Sequence, residues 1–221
     1  MNSTSKIVFL LDVDNTLFDN DAVLADIDQK FHSEFGEECR TRYWTISDNL
    51  RKELGYVDYL GALQRYRSES DTDPRMYMLS AFFLEYPFAQ RLFPGALDVI
   101  THLNKLGETV IVSDGDIVFQ PRKIQQSGLW DAVEGRAMIY RHKEQMLDDI
   151  RQRFPAEHYV MVDDKLQILT AMKRSWKELL TTVFVRQGHY ALNPANIDAY
   201  PAADTSIESI ADLIHVKFLN K

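Results

Sequence analysis

The chain has 221 residues, of which 45% are hydrophobic and 26% are charged. These values are ordinary for a globular protein with one full core and a smaller accessory domain. The formal net charge of −8 argues against a protein that coats nucleic acid or an anionic membrane, since both functions need clustered positive charge.

The cellular setting is indicated by what the sequence lacks. Cys39 is the single cysteine, so no internal disulfide can form, which fits a reducing compartment. The first apolar run is short and stops at Asp12, unlike a signal peptide, and no stretch approaches 18 apolar residues. We therefore expect a cytoplasmic protein without a transmembrane helix.

The first predicted element is a buried strand over residues 7–11, where five apolar residues follow one another. It ends in two carboxylates spaced by one residue, Asp12 and Asp14, followed by Asn15 and Thr16. A buried strand that ends in acids delivers them to the edge of a sheet where ligands bind in open α/β folds.

Residues 20–88 form a predicted helical block without a convincing strand. Asp19 can cap its first helix, Gly36 can end that helix, and Ser47 or Asp48 can cap a second one. Apolar residues of the first helix recur every four positions and form one stripe: Val23, Ile27, Phe31 and Phe35. An insertion placed directly after the first acidic motif is a candidate lid with hinges at its two ends.

Beyond residue 92, short apolar runs alternate with helical patterns. Strands are predicted over 109–112, 137–140, 159–162 and 182–185, and a last helix over 207–213. This alternation predicts an α/β fold with a doubly wound parallel sheet. We expect a core domain made of residues 1–19 and 89–221, with residues 20–88 as a helical cap domain.

Asp12 and Asp14 are the first candidate catalytic pair. Phosphoryl transfer needs one acid that stays ionised to attack phosphorus and another that gives a proton to the leaving oxygen. The alternative is a loop whose acids only cap the next helix, because short motifs often match by chance.

Two candidate phosphate-binding segments follow predicted strands. Ser113-Asp114-Gly115 offers a hydroxyl and backbone N–H groups at a turn, although most such triplets are ordinary turns. Lys143 precedes Met146 and Leu147 at the start of a predicted helix, where an ammonium could reach a phosphate. A solvated surface lysine is the alternative, and Lys123, nearer to Ser113, is the rival candidate.

Asp163 and Asp164 follow the predicted strand 159–162 and add two further acids at a strand end. Mg²⁺ prefers carboxylates, a backbone carbonyl, water and substrate phosphate as ligands. The alternative is a helix N-cap with a second acid that complements the helix dipole.

These segments, in this order, resemble the four motifs of the haloacid dehalogenase-like hydrolases, and residues 12–16 match the family's Asp-x-Asp-x-Thr motif. The resemblance covers residues 6–19 and 92–190. It implies a Rossmann-like core with a cap after the first motif, and a two-step phosphoryl transfer in which Asp12 is the nucleophile and Asp14 the general acid and base.

The resemblance also implies the binding sites. Ser113, with Asp114 and Gly115, and Lys143 would hold the phosphate, although the family often has Asn where Asp114 stands. A Mg²⁺ cofactor is implied. Its expected ligands are Asp12, the backbone carbonyl of Asp14, Asp164, and Asp163 directly or one shell further out.

A magnesium-dependent phosphatase of a small phosphorylated metabolite is the favoured function. A dehalogenase expels halide and needs no acid to protonate a leaving oxygen, and the family's dehalogenases lack an Asp at the position of Asp14. A phosphotransferase or phosphomutase, and a non-catalytic regulatory protein, are the alternatives. We expect a small-molecule phosphate ester as partner, no nucleic acid or membrane, and a monomer or homodimer.

Overall fold

The computed structural model describes residues 5–69 and 75–218. Its strands, numbered along the chain, are β1 (Ser5–Leu11), β2 (Glu108–Asp114), β3 (Ala137–Tyr140), β4 (Ala156–Asp163), β5 (Leu180–Val185) and β6 (Thr205–Ile207). Within the described residues they form one sheet in the order β3-β2-β1-β4-β5-β6, and every neighbouring pair is parallel. The predicted doubly wound α/β fold is confirmed.

Helices connect these strands and cover both faces of the sheet. They are α1 (Asn20–Leu54), α2 (Tyr59–Glu69), α3 (Met76–Leu84), α4 (Ala96–Leu103), α5 (Phe119–Gln126), α6 (Leu129–Ala132), α7 (Leu147–Arg153), α8 (Leu166–Trp176), α9 (Gly188–Leu192) and α10 (Pro194–Asp198). Short 3₁₀ helices lie at Phe88–Arg91, Lys143–Gln145, Lys177–Leu179 and Ile210–His215.

The central strand β1 divides the core into two layers. Phe9 and Leu11 belong to one apolar cluster and Val8 and Leu10 to the other, and all four side chains are fully buried. Successive side chains of a strand point to opposite faces, so a continuous apolar run fits a strand covered on both sides.

Helices α1, α2 and α3 lie between β1 and β2 in the chain and share the first apolar cluster with the sheet. The ring of Phe119 on α5 lies 5.2 Å from Tyr59, 6.0 Å from Phe83 and 5.4 Å from Phe88, measured between ring centroids. Edge-to-face contacts at such distances add stabilisation beyond the area buried. The helical insertion is present, and its separate domain status, residues 20–88, stays a prediction.

Two predictions about helices are wrong. No new helix starts at Ser47 or Asp48, because α1 continues to Leu54 with a break at Gly36, whose φ of 81° is left-handed. Ser47 is buried inside that helix. Its side chain packs in the interior and does not cap the start of a new helix. The predicted end of the first helix at Gly36 is confirmed, because the non-helical backbone of Gly36 separates two helical segments within α1.

The second correction concerns residues 207–213. Thr205–Ile207 is the edge strand β6, with Ile207 paired to Val185, and the helix that follows is a 3₁₀ helix. Its buried residues, Ile210 and Leu213, are three apart, the repeat of a 3₁₀ helix.

Among the described residues, no helix combines the length and the apolar character needed to cross a bilayer.

Candidate active site

The candidate site lies where the chain reverses its direction of winding. Strands β2 and β3 extend the sheet to one side of β1, and β4 to β6 extend it to the other. The carboxyl ends of parallel strands at such a switch point form a crevice. Asp12 follows β1 and Asp164 follows β4, and the Asp12 N–H donates to the Val162 carbonyl at 3.0 Å.

Three buried carboxylates meet at this edge. One oxygen each from Asp12, Asp163 and Asp164 lies within 4.8 Å of the others. Within the described part of the chain, Oδ2 of Asp12 and both carboxylate oxygens of Asp164 accept no hydrogen bond. Buried carboxylate oxygens without partners are costly, and three carboxylates with converging oxygens could hold a hard cation.

Lys143 is the ammonium of this cluster. Its Nζ pairs with Oδ1 of Asp12 and lies 2.7 Å from Oδ2 of Asp163. Lys143 is buried in the 3₁₀ helix Lys143–Gln145, whereas α7 begins only at Leu147, so the lysine lies one turn before the helix that it was predicted to open. Lys143, and not its rival Lys123, is the lysine that lies beside Asp12.

The burial and close approach of these charged groups shift their pKa values. Burial raises the pKa of the Asp163 carboxyl to about 6, and it raises that of Asp164 well above its usual range. Burial also disfavours the charged form of Lys143, but the charges of Asp12 and Asp163 outweigh it and raise the pKa of the lysine. A second lysine, Lys165, also has its pKa raised by the charges of Asp164, Asp12 and Asp163, despite its own burial. Three acids therefore face two lysines, which leaves room for further positive charge.

Asp14 lies apart from the cluster and faces a cavity. Its Oδ1 accepts a hydrogen bond from Nζ of Lys123, a buried residue that also donates to Oδ1 of Asn20 at 3.0 Å. The sequence indicated Lys123 only as a rival to Lys143. The structure gives each lysine its own acid: Lys143 pairs with Asp12 and Lys123 with Asp14. The one signal for this role was that Lys123 follows Phe119 by one helical turn on the buried face of α5.

The end of β2 and the turn that follows it are held by hydrogen bonds. Oγ of Ser113 accepts from Nε2 of Gln120 at 2.9 Å, and Oδ1 of Asp114 accepts from the N–H of Lys143 at 2.7 Å. The N–H of Gly115 donates to the Tyr140 carbonyl at 3.0 Å. That amide is already paired, and Asp114 orients the turn that carries Lys143. The hydroxyl of Ser113 is therefore the group of this segment best suited to an anion.

A cavity of about 330 Å³ opens in front of these strand ends. Asp14, Asp114 and Gly115 line it, while Asp12, Ser113 and Lys143 are buried. The helical insertion and the turns after β3, β4 and β5 supply most of the other walls, including Arg51, Tyr56, Val57, Arg141, His142, Lys165, His189 and Tyr190. Such a volume suits a small molecule.

The loop of the first motif is fixed by a close approach between Asn15 and Gly188. Asn15 has a φ of 60°, and its side-chain oxygen accepts from the N–H groups of Asn20 and Asp21 at 3.1 and 3.2 Å. Gly188 has a φ of +73°, and a Cβ there would lie 2.5 Å from Cβ of Asn15. Only glycine fits this position.

Gly188→Ala is therefore expected to destabilise the protein more than Gly128→Ala. Gly128 has a similar φ of +84° but nothing within 4 Å of an added Cβ, so its change measures the left-handed backbone alone, about 1–2 kcal/mol. The clash at Gly188 should add about 1–3 kcal/mol. Urea unfolding of both variants measures the difference, and equal free energies of unfolding would contradict the close approach.

The chain is similar to known proteins of one family. A family model described as haloacid dehalogenase-like hydrolase matches residues 8–175. A crystal structure described as a haloacid dehalogenase-like hydrolase, from Burkholderia xenovorans, is 58% identical, covers 96% of this chain and 99% of that chain, and has a TM-score of 0.92. A search of curated proteins found no match.

More distant structures share the fold. One is the HAD-hydrolase YfnB from Bacillus subtilis bound to magnesium, at 18% identity, 95% and 97% coverage and a TM-score of 0.61. Another is the L-2-haloacid dehalogenase from Xanthobacter autotrophicus, at 17% identity, 94% and 96% coverage and a TM-score of 0.60. The sequence resemblance is confirmed: this chain belongs to the haloacid dehalogenase-like hydrolases.

Proposed function

We propose that this hydrolase is a magnesium-dependent phosphatase that acts on small phosphate monoesters through an aspartyl-phosphate on Asp12. The observation that carries the proposal is the cluster of buried carboxylates with unpaired oxygens beside Lys143. An anionic nucleophile can approach an anionic ester only where positive charge is concentrated.

The cluster fits Mg²⁺ because all of its converging donors are oxygen atoms. Asp12 and Asp164 would hold the ion, together with the backbone carbonyl of Asp14, and Asp163 directly or through water. When bound, the ion would neutralise charge on the phosphoryl oxygens. The distant Bacillus subtilis relative, described as bound to magnesium, is consistent with this choice of metal.

The chain's own residues then have distinct tasks. The Asp12 carboxylate attacks phosphorus, a bond forms between its oxygen and phosphorus, and the bond to the ester oxygen breaks. Asp14 gives its proton to that oxygen, so an alcohol leaves. Water then attacks the aspartyl-phosphate while Asp14 takes its proton, and inorganic phosphate is released. Lys143 orients the nucleophile, and the Ser113 hydroxyl binds a phosphoryl oxygen.

Dehalogenation is the competing function, because distant relatives include an L-2-haloacid dehalogenase. A halide leaves as a stable anion and needs no proton, so a dehalogenase would have no use for Asp14. In this chain Asp14 faces the cavity and is held by a buried lysine. An acid at the cavity wall suits a reaction in which an oxygen leaving group takes up a proton.

We also propose that residues 20–88 act as a cap domain over a core made of residues 1–19 and 89–221. The support is that Arg51, Tyr56 and Val57 of this segment line the cavity. A cap in this place could exclude bulk water during the first step.

The deciding experiment assays a panel of phosphate esters and 2-haloacids, each with and without magnesium. We expect turnover of phosphate esters that disappears when a chelator removes the metal and returns when magnesium is restored. Release of halide from the 2-haloacids, with no phosphate released from any ester, would overturn the proposal. Transfer of a labelled phosphoryl group to a second substrate instead of water would indicate a phosphotransferase.

Asp14→Asn should affect substrates unequally. An amide keeps the shape but cannot supply the proton, so kcat/KM for an alkyl phosphate should fall about 10²- to 10⁴-fold. The fall should be much smaller for p-nitrophenyl phosphate, whose leaving group departs without protonation. Glu144→Gln is the matched control, since Glu144 also lines the cavity. An equal fall for both esters would contradict a role of Asp14 as general acid.

A further inference from the structure

Two arginines line the cavity. Arg51 comes from the last turn of α1, and Arg141 from the turn after β3. Both line the same cavity of about 330 Å³ as Asp14, and both are exposed. They come from two segments of the chain, one in the helical insertion and one directly after a strand of the sheet.

The acids that line this cavity are already occupied. Asp14 pairs with Lys123, and the carboxylate of Asp114 accepts from a backbone N–H. Asp116 accepts from two backbone N–H groups at the start of α5, at 2.8 and 2.6 Å. Glu144 lies 3.8 Å from Nδ1 of His142. None of these carboxylates neutralises an arginine of the cavity.

The two arginines are not paired with an acid. The guanidinium of Arg51 donates to the phenol oxygen of Tyr190, a neutral group. Arg141 has no hydrogen bond or salt bridge with any residue in the described ranges. The chain as a whole has a net charge of −8, so two cations without an acidic partner at one cavity differ from its overall acidic character. Guanidinium groups bind carboxylates and phosphates with paired, charge-assisted hydrogen bonds.

We infer that the substrate carries a second anionic group, a carboxylate or a second phosphate, which Arg51 and Arg141 bind while the ester phosphate lies at Asp12. This inference rests on the proposed function and narrows it to compact, doubly anionic phosphate esters. The cavity volume is near the lower end of the range for ligand sites, so the group that joins the two anions is short. Tyr190 orients Arg51 toward the cavity.

The test compares esters that differ only in the second charge. 3-Phosphoglycerate is compared with glycerol 3-phosphate for a carboxylate, and propane-1,3-diol bisphosphate with 3-hydroxypropyl phosphate for a second phosphate. In the pair that matches the natural substrate, kcat/KM of the anionic member should be at least about tenfold higher, the effect of one charge-assisted hydrogen bond. The pair that shows this preference identifies the chemical source of the anion.

Variants then test whether the two arginines cause the preference for the ester with a second anionic group. Arg51→Gln and Arg141→Gln should each reduce the ratio of kcat/KM within that pair about 10- to 100-fold, mainly through KM. Arg67→Gln is the control, because it removes the same charge from the same insertion but does not line the cavity. A ratio near one in the unaltered protein, or a ratio that neither cavity variant changes, overturns the inference.

Binding separates this inference from the proposed function. In Asp12→Asn protein with magnesium, calorimetry should give a Kd for 3-phosphoglycerate or propane-1,3-diol bisphosphate at least about tenfold below that of the partner ester without the second anionic group. Hydrolysis of esters with and without that group at equal rates, with equal Kd values, overturns the second-anion site alone. Preferential binding without turnover of any ester supports the site and contradicts the phosphatase.

Discussion

Asp12→Asn is expected to abolish turnover of phosphate esters, with kcat reduced by at least about 10⁴-fold. An amide oxygen is a poor nucleophile, and the change also removes the negative charge that faces Lys143. Initial rates measure the loss. Mass spectrometry of acid-quenched reactions should find a phosphorylated Asp12 in the unaltered protein and none in the variant.

The matched control for this variant is Asp148→Asn, which removes an exposed acid on α7. It should keep the rate of the unaltered protein. Circular dichroism and urea unfolding of Asp12→Asn show whether the variant stays folded. A folded Asp12→Asn protein with full turnover would contradict the aspartyl-phosphate and the function that depends on it.

Lys143→Met is expected to lower both stability and activity. The ammonium lies between Asp12 and Asp163, and all three residues are buried. Removing one partner of a buried ion pair leaves uncompensated charge, which costs about 3–5 kcal/mol. Urea unfolding without divalent ions measures the loss, and steady-state rates measure the effect on turnover.

The pH dependence of this loss follows from the direction of the shift. Asp12 and Asp163 raise the pKa of Lys143 in the folded protein above its ordinary value, despite burial. A raised lysine pKa stabilises the fold fully below the unfolded pKa of about 10.4, and the contribution is lost only as pH rises beyond it. The deficit should therefore be constant between about pH 7 and pH 9.

Lys105→Met supplies the comparison, since Lys105 is exposed and surface changes usually stay within about 0.5 kcal/mol. If Lys143→Met were as stable as Lys105→Met, the ammonium would not hold the cluster together. Normal turnover by Lys143→Met would remove Lys143 from the site.

The local sequence by itself determined most of the sheet and the order of the motifs. Runs of apolar residues that end in Asp12, Ser113 and Asp163 predict buried strands, because a strand covered on both faces has no polar positions. The sequence did not predict the edge strand Thr205–Ile207, because this strand has only three residues and only one of them is buried. An edge strand need not be apolar, so its pattern is weak.

Tertiary structure decided which acid meets which cation. Lys123 and Asp14 are far apart in the chain, and so are Lys143 and Asp12. The order of the strands brings these partners together, and no local pattern encodes that order. Apolar periodicity reports only whether a side chain is buried, whereas the pairing of charges depends on which strand ends become neighbours.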